Sequence, residues 1–425
     1  MYQVTDVQTL LRQRRRRTGL RASPRVGRTV VLLGLTSMFT DISSEMVAAV
    51  LPLYLMFGLG LSPLQFGVVD GLYQGVAALV RVASGVIGDR WQRHKEVAIV
   101  GYGLSALSRI AMPLVGAAWT ALGAVVMLDR TGKGIRTAPR DAMISLSAPR
   151  DGLATAFGVH RALDTAGAMI GPLVAFGILA LVPRGYDAVF VASFCFALIG
   201  LAILWLFVQN PRPAADRAPR EPREPAPSLR AAAGLLGGRG FRRLTIAGSA
   251  LSLATVTDAF VYLTLQHRLG FEVTLLPLLY IATALVYMLA AVPIGRLADR
   301  VGRARVYLGG YVALLALYGV LLAPAAGAAQ LVACLLLLGT YYAASEGVLM
   351  ALASAQLPPT LRGTGLSVLV TGTSLGRLVS AIAFGALWAA SGTGTALAAF
   401  AVALAIALAG SAIALLRRGG DAAVA

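Results

Sequence analysis

The sequence predicts an all-α membrane protein whose twelve transmembrane helices form two pseudo-symmetric six-helix bundles. Three observations carry the prediction. The 425 residues are 57% hydrophobic and 13% charged, with a mean hydropathy of +0.76, whereas a water-soluble chain carries about 25% charged residues. Apolar runs of ~20 residues or more, enough to cross a bilayer, recur along the whole chain. A charged loop in the first half also returns at a constant offset in the second. A soluble helical core of this size would need far more polar surface.

The apolar segments fall at 29–58, 64–88, 96–117, 119–147, 153–182 and 187–208, then at 241–267, 273–298, 304–325, 329–356, 361–391 and 394–416. Several exceed one bilayer thickness, which predicts tilt or protrusion into the cytoplasm. Between the sixth and seventh lies QNPRPAADRAPREPREPAPSLR, whose proline, alanine and charge content cannot build a core. The expected organisation is a basic N-terminal tail (1–28), a bundle (29–208), a flexible linker (209–240), a second bundle (241–416) and a short tail (417–425).

The formal net charge is +18, from 37 basic and 19 acidic residues. In a soluble chain that excess would point to nucleic acid; its placement here says otherwise. Basic residues crowd the N-terminal tail (Arg12, then Arg14 to Arg17), the second loop (Arg90, Arg93, Lys95), the linker, the eighth loop (Arg300, Arg303, Arg305) and the last tail (Arg417, Arg418). Alternate loops such as GLGLS, AAGAAQ and SGTGT carry no charge. The positive-inside rule then puts both ends and the linker in the cytoplasm. The basic excess is an orientation signal, and nucleic acid is not an expected partner. Cys195 and Cys334 lie in apolar segments and offer neither a disulfide framework nor metal spacing. The N-terminal stretch has no short apolar core followed by a cleavage site, so it reads as a cytoplasmic tail.

The halves repeat each other. The second loop reads GVIGDRWQRHK (Gly85 to Lys95) and the eighth GRLADRVGRAR (Gly295 to Arg305), with Gly, Asp, Arg, Arg and a final basic residue in register. This loop resembles the G-x-x-x-D-R-x-x-R-[KR] motif of the major facilitator superfamily, in both halves. RTGKG in the fourth span resembles the family's R-x-x-x-G motif through Arg130 and Gly134. GAMIGP in the fifth, with Gly167, Gly171 and Pro172, resembles the G-x-x-x-G-P motif of its antiporter branch. The resemblance covers the entire chain. It implies that Gly85, Asp89, Arg90, Arg93, Gly295, Asp299, Arg300 and Arg303 latch the outward-facing state, and that Gly167, Gly171 and Pro172 serve gating. It also implies that the first, fourth, seventh and tenth helices line a central cavity. Solvated loop charges that only set topology remain an alternative for Arg93 and Lys95.

Ionisable groups within the spans cost roughly 2.5–3.5 kcal/mol each on insertion scales and mark functional candidates. In the first span, TDISSEM puts Asp41, Ser44 and Glu45 on one helical face near mid-membrane. Such a carboxylate pair suits proton or cation exchange, or it neutralises arginines of the fourth span. There Arg130, Lys133, Arg136 and Arg140 recur at spacings that confine them to about a third of the helix circumference. Such a stripe cannot face lipid, and Pro139 is expected to break the helix beside it. Two readings stay open: Arg130 and Lys133 bind an anionic substrate, or Arg130 organises a proton relay, as the family motif implies. A mixed version gives Arg130 to coupling, Lys133 to substrate, and Arg136 and Arg140 to gating or structure, with Arg136 also a substrate candidate. In the fifth span His160 and Asp164 share a face with Gly167 and Gly171, with His160 a structural hydrogen-bonder or a proton carrier.

In the second half, Glu346 and Arg377 come out near mid-depth and are expected to pair, mirroring Arg130 with Asp164. Asp258 is the seventh span's buried carboxylate, with Tyr262 one turn on; Asp70, Arg81 and Arg109 are expected to be structural partners. FTDISSEM together with DRTGKGIRTAPRDA resembles a little-characterised sub-group of bacterial facilitators near the magnetosome iron-associated transporters. The dense basic stripe departs from a lipophilic-cation pump and speaks against broad multidrug export. The expectation is a monomeric transporter in a bacterial cytoplasmic membrane, working by alternating access. Proton-coupled export of a small polar or anionic solute comes first. Import or uniport of an iron chelate or organic anion is the alternative, and a sensor that no longer transports is the reading from another class. No loop is long enough for a catalytic domain, and no cofactor or metal is expected.

Overall fold

The structure, a computed structural model, describes residues 27–91, 93–148, 153–210, 234–324, 326–358 and 361–416, with side chains described for all of these except 81–91, 153–154 and 362–363. The basic tails, the linker between 211 and 233, the side chains of Arg81, Asp89 and Arg90, and the surroundings of Gly85 lie outside what is described.

The described residues are helical nearly throughout. The first half holds α1 (Arg28–Leu53, prolonged by a π-helical turn at Tyr54–Gly58), α2 (Pro63–Trp91), α3 (His94–Leu114), α4 (Trp119–Ser147), α5 (Leu153–Leu181) and α6 (Tyr186–Phe207). The second holds α7 (Arg239–Leu253), α8 (Asp258–Leu269), α9 (Leu276–Val301), α10 (Arg303–Leu322), α11 (Ala328–Ser354) and α12 (Arg362–Leu416). The expected apolar segments all fall on these helices, the seventh divided between α7 and α8 and the last two joined in α12. Nine helical stretches among the described residues are long and apolar enough to cross a membrane. The helices α2 and α4 are outside that set; α4 carries the basic stripe. The last of the nine, Thr364–Leu416, runs 53 residues and bends at Gly392, where φ is 82°. That bend falls in the uncharged SGTGT loop, and a positive φ is one that glycine adopts without strain.

Outer helix faces stay apolar to their ends. Trp205, Leu206 and Phe207 on α6 are more than half exposed, as side chains facing lipid tails must be. Within the first half α1 packs on α5 and α6, α4 on α2 and α3, and α3 on α6. The second half repeats this pattern: α7 packs on α12, α11 on α9 and α10, and α10 on α12. The halves meet where α2 lies along α12 and α9 along α5.

Two local features differ from expectation. The seventh segment is broken at residues 254–257, between α7 and α8. Its freed backbone groups are satisfied by side chains: the Tyr318 hydroxyl accepts from Val256 N–H at 2.7 Å and donates to the Ala254 carbonyl at 3.0 Å, and Ser380 Oγ donates to the Thr255 carbonyl at 2.6 Å. Conversely, α4 runs unbroken through Pro139. Proline removes one N–H from the ladder, but Arg136 and Arg140 on either side tie that turn to α1 and α5.

Candidate functional site

The basic stripe of α4 is divided among three environments. Arg130 enters a buried cluster with α2 and α3. Asp129 pairs with Arg109 at 2.8 Å and accepts from Arg130 Nε at 2.9 Å, with a second, closer contact from Arg130 Nη2. Arg109 Nη2 also donates to Ser44 Oγ at 3.1 Å, and the Arg130 guanidinium stacks 3.7 Å from the Tyr73 ring centre. Arg109, Asp129 and Arg130 are each at most 3% exposed. Low-dielectric burial makes such a cluster rigid, because removing any one charge strands another.

Arg136 and Arg140 form the second environment, toward α1 and α5. Arg136 Nη2 lies 3.8 Å from Asp41, and Arg140 Nη1 lies 3.8 Å from Asp164. Arg140 donates to Asp141 at 2.9 Å and to Ser37 Oγ at 3.2 Å, and the Ser37 hydroxyl is 2.9 Å from His160 Nε2. Asp41 and Asp164 thus lie on the packed helices α1 and α5, each beside an arginine of the stripe. Glycine sets the approach of the two helices. A Cβ on Gly167 would collide with the Met38 carbonyl, and one on Gly171 would come 2.7 Å from the Ile42 carbonyl. The expected pair of Arg130 with Asp164 is not formed, because Asp129 holds Arg130 while Arg140 and Arg161 share Asp164.

Lys133 takes the third environment, a cavity of about 170 Å³ between α2, α4 and α12. Among the described residues it forms no ion pair.

A polar cavity lies between the halves. This cavity, of about 330 Å³, is lined by Glu45 of α1, Gln74 of α2 and Pro172 of α5 on one side, and by Asp258, Tyr262, Glu346 and Arg377 on the other. Asp258, in the first turn of α8, accepts a hydrogen bond from the Tyr342 hydroxyl, and Tyr262 donates to Thr283 at 2.7 Å. An adjoining cavity of about 390 Å³ is lined by Tyr307, Tyr311, Ser345, Glu346 and Arg377. Glu346 and Arg377 thus share both cavities, yet no ion pair within 4.0 Å joins them. The expected pairing is not formed: each acid or base faces the hollow instead of its neighbour.

At the end next to the uncharged loops the halves close. Phe260 of α8 packs edge-on against Phe66 of α2 and Phe384 of α12, both at 4.8 Å, with Trp388 at 5.7 Å. A Cβ on Gly385 would strike the Pro63 carbonyl, so the helix backbones touch there. Just below, Thr257 Oγ1 donates to Asp70 at 2.6 Å, tying α8 to α2. At the opposite end, Arg303 donates to Asp299 at 3.0 Å within its own half. Arg300 and Arg93 are exposed, and a Cβ on Gly295 would meet nothing.

Residues 33–288 and 244–423 match the family model of the Major Facilitator Superfamily. The chain belongs to the major facilitator superfamily. An uncharacterised MFS-type transporter of Methanocaldococcus jannaschii is 30% identical over 295 residues, which is 68% of this chain and 70% of the relative. An uncharacterised protein of Mycobacterium tuberculosis is 34% identical over 187 residues, 44% of this chain and 45% of its own length. Among solved structures, a variant of the nucleoside transporter NupG superposes with a TM-score of 0.77 at 14% identity, covering 91% of this chain and all of that one. A bacterial homologue of the human lysosomal transporter Spinster, inward-facing and unoccupied, gives 0.71 at 17% identity, covering 93% and 98%. Superfamily members are transporters of small molecules in a membrane, not enzymes, and this facilitator is a multi-pass membrane protein.

Sequence reasoning gave no role to three residues that organise this facilitator's site: Asp129, Tyr342 and Thr257. Asp129 was legible as the acid at the N-terminal end of the stripe, as Asp141 is at the other end, and Thr257–Asp258 as a helix-start pair inside an apolar run. Nothing local marks Tyr342 as the partner of Asp258, 84 residues away.

Proposed function

We propose that this facilitator is a proton-coupled secondary transporter that exports a small polar solute by alternating access across a bacterial cytoplasmic membrane. The observation that supports it is the polar cavity shared by both halves, closed at one end by aromatic packing. In this reading all twelve segments cross the bilayer, and both chain ends and the linker face the cytoplasm. The protein works as a monomer. The closed end is the extracellular one. The exposed Asp299–Arg303 pair belongs to the cytoplasmic latch, together with Gly85, Asp89, Arg90, Arg93, Gly295 and Arg300. Rocking one half on the other would open the aromatic seal and close the latch.

The coupling proton is assigned to Asp41 and Asp164, with Arg136, Arg140 and His160 around them. A carboxylate on each of two packed helices, with an arginine beside both, is a site that can take up and release a proton as the neighbouring charges move. Glu45 is one turn from Asp41 on α1 and lines the cavity, so a single helical turn joins the proton site to the solute site. Arg130 supports coupling indirectly, by holding Asp129 and Tyr73 in place. Lys133 contributes at the contact between α4 and α12. Export is favoured over import by the Gly167–Pro172 resemblance to the antiporter motif.

The test uses proteoliposomes loaded with a pH-sensitive dye and exposed to a mixture of amino acids, organic acids and nucleosides. Solute movement should carry a proton signal of the opposite direction. Asp41→Asn should keep solute exchange and lose the response to an imposed pH gradient. Binding without movement would mark a sensor, and movement indifferent to pH in the unaltered protein would remove the proton from the mechanism.

A further inference from the structure

One of the two readings of the basic stripe was a cavity that binds anions, yet the charges that reach the hollow are mostly acids. Arg130 and Arg136 are consumed by Asp129 and Asp41 inside the first half. In the cavity between the halves, Glu45, Asp258 and Glu346 face one cation, Arg377. Tyr262, Tyr280 and Tyr287 line the same space, and aromatic faces attract an ammonium group.

Arg377 is the informative residue. It sits within a membrane-spanning helix, where an uncompensated guanidinium is costly. Among the described residues it makes no hydrogen bond and no ion pair, although Glu346 lines both of the cavities that it lines. A carboxylate and a guanidinium free to meet would form a forked pair; these two are held apart with space between them. In the adjoining cavity Ser345 is 4% exposed, and its hydroxyl has no hydrogen-bond partner. Buried hydroxyls are ordinarily satisfied, so an orphan in a cavity wall points to an absent ligand. A guanidinium and a hydroxyl donor together make a subsite for an oxyanion, next to a subsite rich in acids and aromatic rings.

Resting on the transport reading above, we propose that the solute is a zwitterion: its anionic group binds Arg377 and Ser345, and its ammonium group binds among Glu45, Asp258 and Glu346. The anionic end is a carboxylate or a phosphate-like group, which Arg377 would hold in the same way. The solute thereby supplies the counter-charges that Arg377 and Glu346 withhold from each other.

The experiment measures thermal stabilisation of the purified full-length protein by four matched probes at millimolar concentration. γ-Aminobutyrate carries both charges, butyrate only the negative one and butylamine only the positive one; aminopropylphosphonate replaces the carboxylate. At least one of the two zwitterions should stabilise the protein at a concentration at least about tenfold below either singly charged probe. Which zwitterion is preferred identifies the anionic group. Arg377→Gln should weaken that binding about 10- to 100-fold. Ser345→Ala removes a hydroxyl that serves no contact in the fold, so it should weaken binding several-fold while leaving the melting temperature without ligand unchanged. Stabilisation by butyrate equal to that by γ-aminobutyrate, by butylamine alone, or by none of the four overturns the proposal. Counterflow of the bound probe in proteoliposomes separates the two readings. Binding without counterflow keeps the zwitterion site and sinks transport, whereas counterflow of a singly charged solute keeps transport and sinks the zwitterion site.

Discussion

Asp129 governs what the arginine beside it can do. Arg109 and Arg130 both draw on one carboxylate at 2% exposure; the cluster keeps a net charge of +1, but none of its three members lines the cavities between the halves. Two nitrogens of Arg109 already lack partners. Asp129→Asn should therefore strand two guanidinium groups in the bundle and destabilise the protein by about 3–5 kcal/mol. The expected readout is a lower unfolding temperature in detergent with little well-folded protein recovered; an unchanged melting curve would show that the cluster is not structural. That α4 carries functional charge was readable from its pattern. How the charges divide was not, because spacing fixes angular position on a helix and says nothing of which neighbour covers each sector.

Breaks and close approaches between elements set the site at the next scale. The gap between α7 and α8 puts Asp258 at a helix start facing the cavity and frees Thr257 to reach Asp70. Both depend on Tyr318, whose single hydroxyl serves an N–H and a carbonyl of the gap. Tyr318→Phe should leave both backbone groups unsatisfied and cost roughly 1–3 kcal/mol, read as a lower melting temperature, with weakened solute exchange because Asp258 loses its fixed position. Full stability would mean that the gap holds itself. The break was legible in part: a β-branched run, Thr255–Val256–Thr257, followed by an acid is a poor helix interior and a good helix start. The continuity of α4 through Pro139 was not legible, since proline's local preference opposes it and only packing on α1 and α5 overrides it.

For the molecule as a whole, the decisive feature is asymmetry between two related halves. Their helices pack in the same pattern, yet the cavity they enclose is sealed at one end by Phe66, Phe260, Phe384 and Trp388. Glu346 is exposed within it. Sidedness can be measured with a membrane-impermeant cationic thiol reagent on Glu346→Cys. Exposed Cys195 is first replaced by serine, while Cys334 is buried and left in place. Inverted vesicles should label faster than right-side-out vesicles, in which the reagent must wait for the aromatic seal to open. The opposite result would place the open end outside and overturn the orientation drawn from the loop charges.

Composition and hydropathy were sufficient by themselves for the helical membrane fold, because that follows from how a chain must meet lipid, and the resemblance of three motifs pointed to the family. The partners of each buried charge, the break at residues 254–257 and the acid-lined hollow were decided only by tertiary structure. A charge in a low-dielectric interior takes the nearest compensating group in space. In this chain that group is in one case the next residue, Asp129 for Arg130, and in another a distant one, Asp41 for Arg136.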